Sequence, residues 1–384
     1  MKLTVARSDF RPALSMVAKT AAGKTTIPIL GNVLMTAEDD TLTLFASDLT
    51  TGIRRTIPAQ VETPGSLTVE PSTLSEWLGI ENSAELHIEH DAAKGRATIK
   101  AGRARASFAT IPAEDFPVIR MFQHDDTLID LPAQMLRRAI ELTSFAVASP
   151  TSGYASQRPT MTGVIVAIKD NVAEVSSTDG FRMSRYLIEG QFESDAELTV
   201  VLPVASVRAL VGLIGDETRT VTMSASSESS LVSARVDGIE WVSAVIAGDR
   251  VNINATLSTA TPTRATVDRS VLHAALRGVR SLAKSNHDTV ILDVGEETLT
   301  LKAVSSEYGD AETTIDAVVQ RGDDFEEGER LANAARLADI VGTLNLARVT
   351  LGMGDSPKEP MHVTDPSVPH FRHIIAALVP NGRG

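Results

Sequence analysis

The stretch ATVDRSVLHAALRGVRSLA, residues 265–283, contains the unit from which the fold is built. Alternating apolar residues predict a short strand, Asp268 stands at a capping position, and an amphipathic helix of about four turns is expected to follow. The same design occurs in LTVARSDFRPALSMVAKTA, residues 3–21, and in IDLPAQMLRRAIELTSFAV, residues 129–147. Repetition over this length indicates one domain that is used three times.

Each copy continues with strand-like pairs and then a second, shorter helix. The second helices are predicted in STLSEWLGI (72–80), VASVRALVGLI (204–214) and LANAARLADIVGTL (331–344). Many short strands with two helices per copy predict an α+β fold of antiparallel sheets, each covered by helices on one face. We expect domains at 1–125, 126–256 and 257–384, with FQHDDT (122–127) and NATLSTATPT (254–263) as polar linkers.

Composition excludes several classes of protein. The chain of 384 residues has no cysteine, so disulfides, thiolate metal sites and cysteine nucleophiles are excluded. It has no apolar run of the ~18 residues that a membrane span needs, and MKLTVARSDF lacks the apolar core of a signal peptide. We therefore expect a cytoplasmic protein that does not contact membranes.

The net charge of −13 disfavours a nucleic-acid partner unless the basic residues are segregated on one surface. The six predicted helical segments together carry ten Lys or Arg and four Asp or Glu. At 100° per residue, helix 269–285 places its basic side chains in an arc of about 80°: Arg269, His273, Arg277, Arg280 and Lys284. A solvated helix face remains an alternative, but the sorted charge favours sequence-independent contact with double-stranded DNA.

Motifs for catalysis are weak. Gly23-Lys24-Thr25 resembles the end of a phosphate-binding loop, but Ala18 stands where the motif needs its first glycine. The motif should also follow a strand and open a helix, whereas here it follows a predicted helix and leads into Pro28 and a predicted strand. The pairs His87/His90 and His370/His373 are three residues apart on predicted strands, so their members point to opposite faces. We expect no catalytic residues, no metal site and no cofactor.

Several segments resemble the bacterial sliding clamp family, the β subunit of DNA polymerase III, and the resemblance covers essentially the whole chain. They are TTIPILGNVLM (25–35), SDL (47–49), GRARASFATIPAEDFP (102–117), RPTMTGV (158–164) and STDGFRMSR (177–185). The resemblance implies a head-to-tail homodimer whose six domains form a ring around duplex DNA, with helices inside and sheets outside. It also implies a non-catalytic processivity factor that is placed on DNA by a clamp loader and tethers DNA polymerase III and repair proteins.

Three sets of site residues follow from the resemblance. The expected DNA-binding residues are Lys24, Arg137, Arg138, Arg269, Arg277, Arg280 and Lys284. The expected dimer contacts are Arg103, Arg105 and Phe108 against Leu282, Asp310 and Glu312, although an ordinary amphipathic edge strand explains the first three equally well. The expected pocket for partner peptides is formed by Met161, Thr178, Gly180, Phe181, Arg182, Met183, Ile374, Ile375, Ala376, Ala377 and Leu378.

The chain departs from the family pattern beside this pocket. It has Ala376-Ala377-Leu378-Val379-Pro380 where the family has a Met-Pro-Met/Val-Arg-Leu-like segment. AGDRVNINATL (247–257) stands in place of a Phe-Pro-Asp-Tyr-like stretch. These departures suggest an alternative, a specialised or inhibitor-resistant second clamp that serves antibiotic self-resistance. A duplex-binding protein unrelated to replication is a third hypothesis, based on charge alone.

Overall fold

A computed structural model describes most of the chain. The described residues are 1–23, 25–80, 83–117, 119, 121–122, 127–190, 192–194, 197–225, 230–249, 251, 260–326 and 329–378. They group into two compact units: unit 1 comprises 1–137, 191–198 and 205–245, and unit 2 comprises 138–190, 199–204 and 246–384. The predicted domain boundaries near residues 126 and 257 lie outside the described residues, so the three-domain division stays a prediction.

The described ranges contain seven α-helices, none of which is long and apolar enough to cross a membrane. They are α1 (Arg7–Val17), α2 (Pro71–Ile80), α3 (Ala133–Thr143), α4 (Gly153–Gln157), α5 (Val204–Val211), α6 (Arg269–Ser285) and α7 (Ala334–Thr343).

The strands are numbered in chain order. The first thirteen are β1 (Lys2–Ala6), β2 (Val33–Glu38), β3 (Thr41–Ser47), β4 (Thr51–Pro58), β5 (Gln60–Thr63), β6 (Gly65–Val69), β7 (Glu85–Asp91), β8 (Arg96–Ala101), β9 (Ala104–Ala109), β10 (Thr127–Pro132), β11 (Gly163–Lys169), β12 (Val172–Thr178) and β13 (Arg182–Glu189). The others are β14 (Leu198–Pro203), β15 (Thr220–Ala225), β16 (Leu231–Val236), β17 (Ile239–Ala244), β18 (Thr263–Asp268), β19 (Thr289–Val294), β20 (Thr298–Ser305), β21 (Gly309–Asp316), β22 (Val318–Gln320), β23 (Arg330–Asn333), β24 (Arg348–Met353), β25 (Met361–Thr364) and β26 (Phe371–Ile375).

Each unit has one large and one small sheet. Unit 1 has a five-stranded sheet in the order β5-β1-β7-β8-β9 and an eight-stranded sheet in the order β10-β15-β16-β17-β4-β3-β2-β6. Unit 2 has a nine-stranded sheet in the order β14-β11-β12-β13-β26-β25-β24-β18-β22 and a four-stranded sheet in the order β21-β20-β19-β23. Antiparallel pairing of β4 with β17, and of β13 with β26, makes each large sheet continuous across two predicted copies of the repeat.

The strand-to-helix unit predicted from the sequence occurs in all three places, as β1–α1, β10–α3 and β18–α6. The expected length of four turns is inaccurate, because α1 and α3 have 11 residues each and α6 has 17. The Asp268 carboxylate accepts hydrogen bonds from the amides of Ser270 and Val271 and so caps α6. By contrast, α1 begins after Ala6 without a side-chain cap, so a polar cap is not common to all copies.

Hairpin turns recur at corresponding places in the repeats. Residues with positive φ join β2 to β3 (Asp39 and Asp40), β11 to β12 (Asp170 and Asn171) and β16 to β17 (Asp237 and Gly238). Two consecutive left-handed residues match the twist of the flanking antiparallel strands, and Asp, Asn and Gly tolerate this backbone best. The turns therefore set the register of the strands that form the large sheets.

The apolar C-terminal segment forms an internal strand of the nine-stranded sheet. β26 lies between β13 and β25, with Met183 opposite Ile374 and Arg182 opposite Ile375. Phe371, Ile374 and Ile375 are buried. Each such side chain stabilises the fold by about 1.5–3 kcal/mol when it is fully buried, which explains why this end of the chain is docked.

His373 lies in the same strand and is completely buried. Its Nδ1 shares a hydrogen bond of 2.7 Å with the Ser184 hydroxyl, whereas its Nε2 has no hydrogen-bond partner. The Phe145 ring lies beside it, with ring centroids 5.3 Å apart. Burial, together with the nearby positive charge of Arg182, lowers the pKa of His373 to about 3.

This lowered pKa predicts a stability that depends on pH. Between pH 6.5 and pH 3 the unfolded chain binds a proton at this histidine that the folded chain does not bind, so stability falls as the pH falls. The contribution is about 1.4 kcal/mol per pH unit at most. Urea unfolding between pH 6.5 and 5 should show a shallower pH dependence for His373→Asn than for the parent chain. His287→Asn, at an exposed position, is the control, and equal slopes for parent and His373→Asn would contradict the expectation.

Candidate functional site

A tight turn between β12 and β13 forms the first wall of the candidate site. The Asp179 carboxylate accepts hydrogen bonds from the amides of Phe181 and Arg182, at 2.9 and 3.0 Å. The Thr178 hydroxyl donates to the Arg182 carbonyl at 2.7 Å and accepts from the amide of Gly180. Gly180 has a φ of 88°, a conformation that favours glycine. The turn therefore presents Phe181, which is 39% exposed, at the surface of the sheet.

The chain after β26 forms the second wall. The amide of Ala376 donates to the Phe181 carbonyl at 2.8 Å, and the amide of Leu378 donates to the Leu331 carbonyl at 3.1 Å. Between the two walls lies a cavity of about 300 Å³. Its lining consists of Thr178, Gly180, Phe181, Arg182, Met183, Lys358, Pro360, Ile374, Ala376 and Ala377.

Eight of the eleven residues predicted for the pocket line this cavity. Ile375 instead points into a small space beside Leu331 and Met353, because neighbouring residues of a strand face opposite sides of the sheet. Met161 is buried behind Gly180, and Leu378 is held through its backbone. The departures from the family pattern at 379–380, 250 and 252–257 lie outside the described residues.

Two lining residues, Lys358 and Pro360, were not predicted. They belong to a turn before β25, and the pairing of β25 with β26 brings this turn to the cavity. No motif in the sequence marks them. Only the order of strands in the sheet could have indicated their position.

A network of charged groups holds the first wall in place. The Arg182 guanidinium, whose side chain is 10% exposed, lies 3.2 Å from Asp179 and donates to the Asp339 carboxylate at 3.0 Å. It also donates to the Phe145 carbonyl at 3.0 Å. Arg336 lies 3.6 Å from Asp179 and stacks on the Phe181 ring at 4.5 Å. Phe181 is thus supported on one side by a cation and fixed at the mouth of the cavity.

Helix α6 carries the predicted basic face. Leu272, Leu276 and Val279 are buried, whereas the side chains of Arg277, Arg280 and Lys284 are exposed on the other side of the helix. Within the described part of the chain, no carboxylate pairs with these three cations. The structure therefore keeps their charge available to a ligand.

Arg269, at the start of α6, has a different environment. It is half-buried, and its guanidinium donates to the carbonyls of Leu346 and Val341, at 3.0 and 3.5 Å. These bonds satisfy carbonyl groups at the end of α7 and the residues after it, which is a structural role. Arg269 is therefore less available to a ligand than the three cations further along the helix.

The other predicted DNA-binding residues also differ in whether they already have a partner within the chain. Arg137 lies 3.1 Å from Asp216 and also contacts the Ile214 carbonyl, so it is paired within unit 1. Arg138 is exposed. Lys24 lies outside the described residues.

The predicted dimer contacts lie on the outer strands of the two small sheets. β9 is the edge strand of the five-stranded sheet in unit 1, with Arg105 exposed and Phe108 packed edge-to-face on Trp77. Arg103 is exposed in the turn that precedes β9. In unit 2, β21 is the edge strand of the four-stranded sheet, with Asp310 and Glu312 exposed, and Leu282 of α6 is half-buried.

The other candidate motifs do not form sites in the described ranges. No group of three His, Cys, Asp or Glu residues is arranged to hold a metal ion there. After Gly23 the chain forms a short 3₁₀ turn, Pro28–Gly31, and then β2, so no helix follows as in a phosphate-binding loop. His87 and His90 bond to different threonines, Thr4 and Thr110.

Comparison with known proteins identifies the class to which this chain and its fold belong. Residues 1–120 match the N-terminal domain of the DNA polymerase III beta subunit, and residues 130–250 match its central domain. The beta sliding clamp of Pseudomonas putida is 26% identical over 93% of this chain and 94% of its own length. That of Caulobacter vibrioides is 27% identical over 98% of this chain and 100% of its own length.

Solved structures show the same fold. The DNA polymerase III subunit beta of Pseudomonas aeruginosa superposes with a TM-score of 0.89 at 21% identity, and covers 98% of this chain and 100% of its own. The fold is therefore that of a β clamp. The two domain matches together span more than half of the sequence, and the chain belongs to the DNA polymerase III beta subunit family, the bacterial β sliding clamps. Its function is that of a sliding clamp.

Proposed function

We propose that this chain forms a ring as a head-to-tail homodimer, with three domains per chain, and that the ring encloses duplex DNA. It is loaded by a clamp loader, acts in the cytoplasm and performs no catalysis. Its role is to keep DNA polymerase III and repair proteins on the template. The observation that carries this proposal is the exposed basic face of α6, whose Arg277, Arg280 and Lys284 pair with no carboxylate among the described residues, on a chain with a net charge of −13.

Contact with DNA is proposed for Arg277, Arg280 and Lys284, with Arg138 and Lys24 as further members. Among the three cations of α6, neighbours lie three or four residues apart along one helix face, which suits successive phosphates of a duplex. The protein needs no base-reading element, because a ring retains DNA by enclosing it. Arg137 and Arg269 contribute less, since both already have partners within the chain.

Replacing two of these arginines should weaken the equilibrium affinity for DNA and its dependence on salt. Each phosphate contact contributes about 0.9 to the slope of log K against log salt concentration, so Arg277→Ala with Arg280→Ala should lower this slope by about 2. The affinity of the variant and of the parent for a short, labelled linear duplex, which the ring can enter and leave by its ends, is measured by fluorescence anisotropy at increasing salt. Arg264→Ala with Arg372→Ala, on strands of the nine-stranded sheet, is the matched control and should behave as the parent does.

Loading the protein on nicked circular DNA and then linearising that DNA tests enclosure itself. A ring slides off the free ends, so retention on the circle should be lost after a single cut. Equal retention on circular and linear DNA would overturn the proposal and favour a duplex-binding protein unrelated to replication.

Ring closure is proposed between β9 of one protomer and β21 of its partner. Both are edge strands whose outer backbone groups are available for pairing. Arg103 and Arg105 are basic, whereas Asp310 and Glu312 are acidic, so the two edges have complementary charge. Because the joined surfaces differ, the contact is heterologous and closes only if the rotation is suitable.

Charge reversal tests this interface. Arg105→Glu places like charges together and should raise the dimer dissociation constant at least tenfold in sedimentation equilibrium. Glu312→Arg in the same chain should recover most of this loss, because the reversed pair attracts again. If the loss of dimerisation free energy in the double variant equals the sum of the losses in the two single variants, Arg105 and Glu312 do not contact each other.

Partner binding is proposed at the cavity between the turn 178–182 and the C-terminal strand. Its floor is apolar, with Met183 and Ile374 paired across β13 and β26, and Phe181 stands at its mouth. An extended peptide with apolar side chains fits such a site, since buried aromatic contacts contribute most of the binding energy in small interfaces.

Removal of the exposed aromatic side chain should separate binding from stability. Phe181→Ala should weaken binding of a labelled peptide with a clamp-binding motif at least tenfold, with little change in unfolding midpoint. Fluorescence anisotropy measures the binding. Tyr308→Ala, at another exposed aromatic position, is the control. Unchanged peptide affinity in Phe181→Ala would exclude this cavity as the partner site.

A further inference from the structure

The face of the eight-stranded sheet in unit 1 that carries Phe45 and Val242 repeats the local structure of the peptide cavity in unit 2. Asp48 accepts hydrogen bonds from the amides of Thr50 and Thr51, as Asp179 does from the two residues at the same distance. Ala244 donates to the Thr50 carbonyl, as Ala376 donates to that of Phe181. The two sheets therefore share a register. The pair of Gly52 and Val242 across β4 and β17 occupies the place that Met183 and Ile374 occupy across β13 and β26.

In unit 1 this place is filled by the chain itself. Atoms of Phe45 and Val242 approach to 2.9 Å from the position that a Cβ on Gly52 would occupy, so these two side chains take the space above the glycine. Phe116, from the segment after β9, packs edge-to-face on Phe45 with ring centroids 5.7 Å apart. Met121 joins the same buried cluster. The sheet thus already binds the segment after β9, in which Phe116 follows the 3₁₀ turn Ala113–Asp115, through an aromatic anchor.

Further along the same strands, this face remains open. A cavity of about 590 Å³ lies between the sheet and the described residues of the segment after β9. One side is apolar, with Leu34, Phe45, Phe116 and Ile119. This volume is within the range of about 300–1,000 Å³ that is typical of ligand sites.

The other side of the cavity is lined by charged side chains, some of which form ion pairs and some of which do not. Glu240 accepts a hydrogen bond of 2.6 Å from Nε of Arg54 and pairs with Arg235 at 3.1 Å, so one carboxylate serves two guanidinium groups and the three together keep one positive charge. Glu38 and Glu114 also line the cavity and are exposed. In the described part of the chain, neither has an ion-pair partner. With three glutamates and two arginines, the described lining of the cavity carries a net charge of −1, and its two carboxylates outside the arginine pairs face the opening.

We propose that this cavity in unit 1 is a second peptide site, distinct from the cavity in unit 2. Its occupant is an extended peptide of a partner protein with one aromatic or large aliphatic anchor next to lysine or arginine. The anchor lies against Leu34 and Phe116, as Phe116 itself lies against Phe45, and the basic groups pair with Glu38 and Glu114. Glu38 and Glu114 select basic peptides, because they would repel an acidic peptide.

A photoreactive probe tests the site on the full chain. The probe is the pentapeptide Lys-Lys-X-Lys-Lys, where X is benzoylphenylalanine, and its counterpart has four glutamates in place of the lysines. After irradiation, mass spectrometry locates the cross-links. We expect cross-links to residues 34–56 or 113–121 with the lysine probe, and at least fivefold fewer with the glutamate probe.

Variants decide whether the labelling reports this cavity. Thr36→Trp fills the cavity from the sheet, and Glu38→Lys with Glu114→Lys changes only exposed charge, so a folding defect in the first does not affect the second. Both should reduce the labelling at least fivefold, whereas Glu76→Lys, on α2, should leave it unchanged.

Phe181→Ala distinguishes this site from the cavity in unit 2. The probe should still label unit 1 in this variant. Loss of that labelling in Phe181→Ala, equal labelling by both probes, insensitivity to the cavity variants, or no cross-link in unit 1 at saturating probe would each overturn the proposal.

Discussion

Antiparallel pairing between a strand that follows a tight turn and a strand from a later repeat holds each large sheet together. In unit 2 this pairing joins β13 to β26, and in unit 1 it joins β4 to β17. Without it, the turn at Thr178–Arg182 would have no second wall, and Phe371, Ile374 and Ile375 would be exposed to water. The same strand pairing therefore stabilises the C-terminal strand and forms the cavity.

The two pairings share a register but have different consequences. At the same position, Met183 leaves an open cavity in unit 2, whereas Gly52 is covered by Phe45 and Val242 in unit 1. Even the turns correspond, since Leu49 adopts a positive φ of 72° where unit 2 has Gly180. Repetition of the fold thus preserves the backbone, and the side chains decide which of the two faces can accept a ligand at that place.

Much of the fold could be predicted from pattern alone. Alternation of apolar residues indicated the strands, and the buried stripe of α6 with its opposite row of arginines followed from a period of 3.6 residues. The caps were less predictable: Asp268 caps α6, but Ala6 precedes α1 without any side-chain bond. A helix that packs well on a sheet does not require a cap, because burial of its apolar face stabilises it. A capping residue in the sequence is therefore not needed at every helix start.

The basic face of α6, the acidic balance of the chain and the three repeats are properties of the sequence itself. They depend on spacing along one element, and spacing is read directly from the order of residues. Tertiary structure alone placed Lys358 and Pro360 beside Phe181, turned Ile375 away from the cavity, and paired Arg137 and Arg269 with groups in other elements. Such contacts join residues far apart in the chain, and only the order and register of strands decides which distant side chains meet.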